Sequence, residues 1–108
     1  MSEILQGTTP SLEIIISKTD FLVSDITKLE LTIRHNGIVS IHDLSEVTLD
    51  TERNSVAYLF TEIETLAMNP KQPIEYQLRF MFADGHIVGT KSRMIEIADL
   101  ISKDVMSG

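Results

Sequence analysis

The chain has 108 residues, 43% of them apolar, which is the size and composition of a single globular domain. Nine Lys and Arg residues stand against sixteen Asp and Glu residues, giving a net charge of −7. This charge argues against binding to nucleic acid or to an anionic membrane, because both depend on clustered basic side chains. The sequence contains no cysteine, which excludes disulfides and zinc sites built on thiolates.

The sequence predicts neither a secretion signal nor a membrane span. Residues 1–9 lack a basic region followed by an apolar core, so we expect no signal peptide. The longest apolar runs, such as Ile14–Ile16, fall far short of the ~20 residues that a membrane helix requires. We therefore predict one domain over residues 1–108, made in the cytoplasm, with frayed ends at 1–10 and 103–108.

Short runs of alternating apolar and polar residues, ended by turn residues, predict β-strands along the chain. The alternation is clearest in Leu29–Arg34 and Ile74–Phe80, where one face should look into a core and the other into water. Seven runs are predicted as strands: Ser11–Ser17, Ile26–Arg34, Ile38–His42, Glu46–Asp50, Ser55–Phe60, Pro73–Phe82 and His86–Ala98.

The turn at Asn36-Gly37 allows two strand registers. A two-residue loop would place Ile33 opposite Ser40, which pairs an apolar side chain with a polar one. A three-residue loop, His35–Gly37, places Ile33 opposite Val39 and matches the next inward pair as well. Gly37 would then take the left-handed conformation of a β-bulge. We favour the three-residue loop.

The turn at Asp84-Gly85 also has two possible lengths. A two-residue loop would place Phe80 over Gly89, where the missing side chain leaves room for the ring. A three-residue loop would pair Phe80 with Val88 instead. The residues favour neither length.

Thr61 and Glu64 have the spacing of a capping box, in which each side chain satisfies a backbone donor at a helix start. Because Asn69-Pro70 follows closely, we predict one helical turn that carries the chain from one sheet to the other. The whole pattern indicates an all-β fold, an immunoglobulin-like antiparallel β-sandwich of about seven strands with one short helical turn. A small barrel is the main alternative.

The three histidines are His35, His42 and His86, and none has a second ligand at a spacing that makes a metal site. His42 with Asp43 is a single weak exception. We interpret all three as solvent-facing residues of turns and strand ends. We therefore predict no metal site.

Close carboxylates could support acid–base hydrolysis if a pocket separated their pKa values. Sixteen acids in a short chain produce such pairs by chance, and we expect a solvated face instead. No Gly-x-Ser-x-Gly elbow and no glycine-rich phosphate loop is present, so we predict no catalytic residue and no cofactor. The close pairs are Glu62/Glu64, Asp43/Glu46 and Glu96/Asp99.

Several apolar residues point away from the core in the predicted strands. Such residues mark a contact surface where they cluster on one sheet. The alternative to a contact surface is that the second sheet of the sandwich is more apolar than this assignment of faces supposes. The residues predicted for a protein-contact surface are Ile15, Leu59, Met81 and Val88.

An ordered set of turn and cap motifs runs along most of the chain, from about Gly7 to near Val105. The motifs are Gly7-Thr8-Thr9-Pro10, Asn36-Gly37, Val47-Thr48-Leu49-Asp50, Thr61-x-x-Glu64-Thr65-Leu66, Gln77-Leu78-Arg79 and Asp84-Gly85. In order and spacing they resemble a family of small β-sandwich proteins encoded in phages and prophages of gut Firmicutes, beside genes for tail and other virion parts.

The resemblance implies a non-enzymatic structural or accessory protein of a tail, baseplate or similar assembly, acting through protein–protein packing. Its partners would be other virion proteins or further copies of itself, and its location the host cytoplasm and then the virion. One rival is a carbohydrate- or receptor-binding module, for which Tyr58 and Tyr76 are the candidate aromatic residues, although both are predicted to face inward. A second rival is a small hydrolase that uses an acid pair.

Overall fold

The computed structural model describes residues 3–16, 21–103 and 105–106. Helical structure in these ranges consists of α1 (Glu62–Leu66) and two 3-10 turns, at Val23–Asp25 and Leu44–Glu46. The strands of the described residues are β1 (Glu3–Leu5), β2 (Ser11–Ile15), β3 (Ile26–His35), β4 (Ile38–His42), β5 (Thr48–Asp50), β6 (Ser55–Leu59), β7 (Ile74–Phe82), β8 (Ile87–Gly89) and β9 (Arg93–Ala98).

These strands form two sheets. The large sheet has the order β1-β9-β7-β3-β4, with β8 also paired to β7, and the small sheet has the order β2-β6-β5. The orders β2-β6-β5 and β3-β7-β9 correspond to the B-E-D and C-F-G arrangements of an immunoglobulin sandwich. The predicted all-β, immunoglobulin-like sandwich is therefore confirmed, with one correction: β1 pairs with β9 in parallel, so the large sheet is not wholly antiparallel.

The long antiparallel pair of β3 and β7 lies at the centre of the large sheet. Leu31 pairs with Leu78 and Leu29 with Phe80, and all four side chains are buried. From the small sheet, Val56 and other apolar side chains complete the same core. The alternation in the sequence identified these core positions because each strand has one solvated face.

The ends of the chain depart from the predicted fraying. Ile4 of β1 is buried beside β9, and the buried Gln6 side chain donates to the Met68 carbonyl at 2.5 Å. The Gln6 Oε1 atom in turn accepts from the Leu100 N–H and from the Lys103 ammonium. Fraying is therefore wrong for Glu3–Leu5, since a three-residue strand carries too little alternation to be recognised.

Most predicted strands are found close to their expected bounds, but the last one is divided. His86–Ala98 separates into β8 and β9 because Thr90 satisfies the β7 backbone locally. Its N–H donates to the Leu78 carbonyl at 2.8 Å and its hydroxyl accepts from the Leu78 N–H at 3.0 Å. Ser17, at the end of the first predicted strand, lies outside the described residues.

The predicted three-residue loop at His35–Gly37 is wrong. The structure has a two-residue turn, which places Ile33 opposite Ser40. Asn36 and Gly37 have φ values of 53° and 79°, as a type I′ turn requires. The turn fits the twist of the strands, and the polar side chains that it directs inward find partners there.

At Asp84-Gly85 the structure has the three-residue loop. Phe80 lies opposite Val88, and Phe82 donates its N–H to the His86 carbonyl at 3.0 Å. Gly85 has a φ of 89°, the left-handed conformation that suits the last position of such a loop.

The capping box at α1 is confirmed. The Thr61 hydroxyl accepts from the Glu64 N–H and a Glu64 carboxylate oxygen accepts from the Thr61 N–H, both at 3.1 Å. The helix lasts little more than one turn and connects β6 of the small sheet to β7 of the large sheet, as predicted.

We expect Gly37→Ala to lower the free energy of unfolding by about 1 to 2 kcal/mol, because an alanine strains the left-handed conformation of the turn. Gly89→Ala is the matched control, since its Cβ would meet the Leu78 carbonyl at an ordinary 3.7 Å. Urea unfolding measures both variants. Equal effects from the two substitutions would contradict the type I′ turn.

Candidate contact surface

The structure separates the four residues predicted for a contact surface. Ile15 and Leu59 lie on the outer face of the small sheet and are exposed. Met81 lies on the outer face of the large sheet, on the opposite side of the sandwich, and is half-buried. Val88 faces the other way, opposite Phe80, and packs against the core. The four residues do not form one surface.

The outer face of the small sheet is crossed by a polar network between its two exposed apolar residues. The Glu13 carboxylate accepts from the Arg53 guanidinium through two bonds of 2.8 Å and from the Ser55 hydroxyl at 2.9 Å. The Arg53 guanidinium holds the pKa of the Glu13 carboxyl below its usual value. Ile15 and Leu59 are thus separated by a charged pair rather than joined by an apolar one.

The outer face of the large sheet carries more exposed apolar residues. The two-residue turn directs Val39 and Ile41 of β4 outward, and they are 53% and 59% exposed. On β8, Ile87 lies opposite Met81, and Met94 of β9 is exposed near the other end of the sheet. Sequence reasoning missed most of this face because the wrong loop length turned β4 over.

A groove of about 560 Å³ runs along this outer face. Its apolar walls include Ile41 on one side and Met81 with Ile87 on the other. Between them, Arg79 of β7 donates to the Glu30 carboxylate of β3 at 2.7 Å. Of the residues in this groove, Met81 and Arg79 belong to the types that are enriched at protein-contact surfaces.

A second ion pair lies on the same face, between the exposed apolar residues at the two sides of the sheet. Arg34 on β3 donates to the Glu75 carboxylate on β7 through its Nε atom at 2.9 Å and also through a terminal nitrogen. This guanidinium and the Ser92 hydroxyl hold the pKa of the Glu75 carboxyl below its usual value. Arg34 and Arg79 are therefore each paired with a carboxylate of a neighbouring strand.

On the inner face of β4, His42 joins a half-buried polar cluster that sequence reasoning did not predict. Its Nε2 atom lies 3.1 Å from the Ser40 hydroxyl, its Nδ1 atom 2.5 Å from the Glu46 carboxylate, and its ring 4.4 Å from that of Tyr58. The side chain is 12% exposed, so the prediction that His42 faces solvent is wrong. The four-residue spacing of His42 and Glu46 was a signal for this contact.

The other two histidines differ from each other. His35 is half-buried, and its Nε2 atom accepts a hydrogen bond from the Asn69 N–H at 2.9 Å, so it does not simply face solvent as predicted. His86 is exposed after its turn, as predicted. In the described ranges, no three His, Asp or Glu side chains are arranged to hold a metal ion.

The chain Ser40–His42–Glu46 has the order of a hydroxyl, a base and an orienting acid. An acyl-transfer site also needs space for the reacting carbonyl and donors for its oxygen. The lining of the groove on the outer face includes none of these three side chains, and the Ser40 hydroxyl also lies 3.5 Å from the Ile33 carbonyl. The arrangement closes the side of the sandwich next to β4.

The cluster continues through the ring of Tyr58 to helix α1. The Tyr58 hydroxyl donates to the Glu64 carboxylate at 2.9 Å, and the other Glu64 oxygen caps the helix. Burial, with the Glu64 carboxylate, raises the pKa of the Tyr58 hydroxyl. In the other acid pairs, Asp43 and Glu46 cap the second 3-10 turn, and Asp99 binds Lys103.

A general acid needs a raised pKa, and the carboxyl groups at these positions have other roles. Bonds from Ser45 lower the pKa of Asp43, and the Lys103 ammonium lowers that of Asp99. Of the two tyrosines, Tyr58 is buried and Tyr76 is half-buried opposite Ile33, against the core. Neither ring offers the open aromatic platform that a sugar-binding site would use.

Two comparisons bear on identity. The chain matches no known protein family and no curated protein. Among the residues described, no helix is long and apolar enough to cross a membrane. The resemblance to phage proteins therefore stays a prediction.

We expect the Arg34–Glu75 pair to make stability pH-dependent. The folded pKa of Glu75 is lowered, so its contribution is complete above the unfolded value of 4.5 and is lost as the pH falls through the folded value. Glu75→Gln should therefore lose less stability than the wild type on acidification. Glu96→Gln, which removes an exposed carboxylate from β9, is the matched control.

Urea unfolding from about pH 7 to about pH 3 measures the three proteins. Glu75→Gln should show a weaker dependence on pH than either the wild type or Glu96→Gln. The same pH dependence in all three would mean that the ion pair does not stabilise the fold.

Proposed function

We propose that the chain is a non-enzymatic structural or accessory protein of a phage tail, baseplate or similar assembly, which works through rigid protein–protein packing. The observation that carries the packing role is the outer face of the large sheet, with its exposed apolar residues and its groove. The phage assembly itself is proposed from the order and spacing of the turn and cap motifs.

Electrostatics support this face as the contact surface. The chain carries a net charge of −7, so two such surfaces, or a surface and an acidic neighbour, would repel each other on average. In the lining of the groove and of the smaller cavity beside it on this face, three basic residues stand against three acidic ones. They are Arg34, Arg79, Lys28, Glu30, Glu75 and Asp43.

The proposed partners are other virion proteins or further copies of the chain. A rigid β-sandwich suits such a role, because its sheet faces are held by the core and need little ordering on binding. We propose that the chain is made in the host cytoplasm and ends in the virion. Neither tyrosine ring is an open platform, and the pKa values of Asp43 and Asp99 are lowered, so these residues favour neither rival function.

The test is incorporation into particles. A tagged chain expressed during prophage induction should co-purify with virions at a fixed ratio. Met81→Lys with Ile87→Lys should lower that ratio at least ~10-fold, because a buried interfacial charge costs more than the 1.4 kcal/mol that a tenfold change requires. Leu59→Lys, on the outer face of the small sheet, is the matched control.

Virions that lack the chain would contradict the proposed function. Loss of incorporation with Leu59→Lys, but not with the double variant, would keep the function and move the contact surface to the small sheet. Circular dichroism of each variant checks that the fold is intact.

A further inference from the structure

The edge strand β4 has an unusual composition for a free sheet edge. In the described part of the chain it pairs with β3 and with no other strand. Its sequence, Ile38–His42, contains no Lys, Arg, Asp or Glu, and three of its five side chains are exposed and apolar. Natural edge strands are normally protected by charges, proline or shortness, because unpaired backbone groups invite another strand.

The other edges in the described residues have that protection. The strands β1, β5 and β8 have three residues each, and β1 also carries Glu3. The strand β2 has five residues, but Glu13 at its centre is bound to Arg53. Among these edges, β4 combines length, neutrality and apolar side chains.

The two-residue turn also decides which backbone groups of β4 are free. Residues that flank such a loop form a hydrogen-bonded pair, and bonded and non-bonded pairs then alternate. Counting from His35 and Ile38, Ser40 bonds to β3, whereas Val39 and Ile41 do not. The N–H and C=O groups of Val39 and Ile41 therefore point toward the free edge, and their side chains point to the outer face.

We propose that β4 pairs with β4 of a second copy of this chain, antiparallel, about a two-fold axis at Ser40. This inference deepens the proposed packing role by naming its partner and its edge. Val39 of one copy lies opposite Ile41 of the other, so that four backbone hydrogen bonds form. The large sheets of the two copies then become one continuous sheet.

The side chains suit this register. Val39 and Ile41 of both copies form one apolar strip across the joint on the outer face. A two-fold axis brings the Arg34 end of each hairpin toward the Asp43 end of the other copy, and these charges are opposite. The strands at the centre carry no charged side chain, so the pairing brings no like charges into direct contact there.

Light scattering after size-exclusion chromatography, from about 1 to about 200 μM, should show a mass of twice 12.1 kDa at the higher concentrations. Val39→Pro should give a monomer with an intact fold, because its lost N–H faces the free edge and not β3. Leu59→Lys, an exposed residue of the small sheet, should still dimerise.

Cysteine cross-linking tests the register directly, because the natural chain has no cysteine. The axis places Ser40 of each copy in a non-hydrogen-bonded pair with Cα atoms about 4.5 Å apart, within disulfide range. Ser40→Cys should therefore form a covalent dimer on mild oxidation. Ser11→Cys, exposed on the edge strand β2, is the matched control and should form it at least ~10-fold more slowly.

A monomer at all these concentrations would overturn the inference, as would a dimer that survives Val39→Pro or equal cross-linking of the two cysteine variants. Incorporation into virions tests the proposed function independently of the β4 pairing. A monomeric chain that is found in virions overturns the pairing alone, and a β4 dimer absent from virions overturns the virion role alone.

Discussion

The conformation of two residues, Asn36 and Gly37, decides which side chains the edge strand β4 presents on the outer face of the large sheet. Both take left-handed backbone angles, so the hairpin closes with a two-residue turn, and this length fixes the register of β4 on β3. Because side chains alternate between faces, a shift of one residue would exchange every inward and outward position of β4. In the observed register Val39 and Ile41 face outward, while Ser40 and His42 face inward.

In this register β4 directs the polar side chains of Ser40 and His42, and not apolar ones, toward the core. The hydrogen bonds of the cluster around His42 offset the loss of apolar contacts there. Buried polar groups stabilise a fold when each finds a hydrogen-bond partner, and are expensive when they do not. His42 lies between the Ser40 hydroxyl and the Glu46 carboxylate, and its ring packs on Tyr58. Tyr58 reaches Glu64, which caps α1, so the contacts run from the edge strand to the connection between the sheets.

Sequence reasoning succeeded where one strand face is clearly apolar and the other polar, as in Leu29–Arg34 and Ile74–Phe80. It failed at β4 because apolar residues at 38, 39 and 41 fit either register, and the turn geometry had to decide. It also missed β1, whose three residues carry almost no periodic signal. The β4 error assigned Val39 to the core, whereas the outward placement of Val88 was wrong because the length of the Asp84-Gly85 loop was open; Met81 was placed outward correctly.

The same register links the fold to association. A strongly acidic chain resists non-specific contact, because like charges repel at long range. Association then requires a place where charge is cancelled and where backbone groups and apolar side chains are presented together. On the large sheet, Arg34 and Arg79 are each paired with an acid of the neighbouring strand, and β4 itself is neutral. The turn that directs Val39 outward also leaves its N–H free, so a partner that adds a strand there would gain hydrogen bonds and apolar burial at one site.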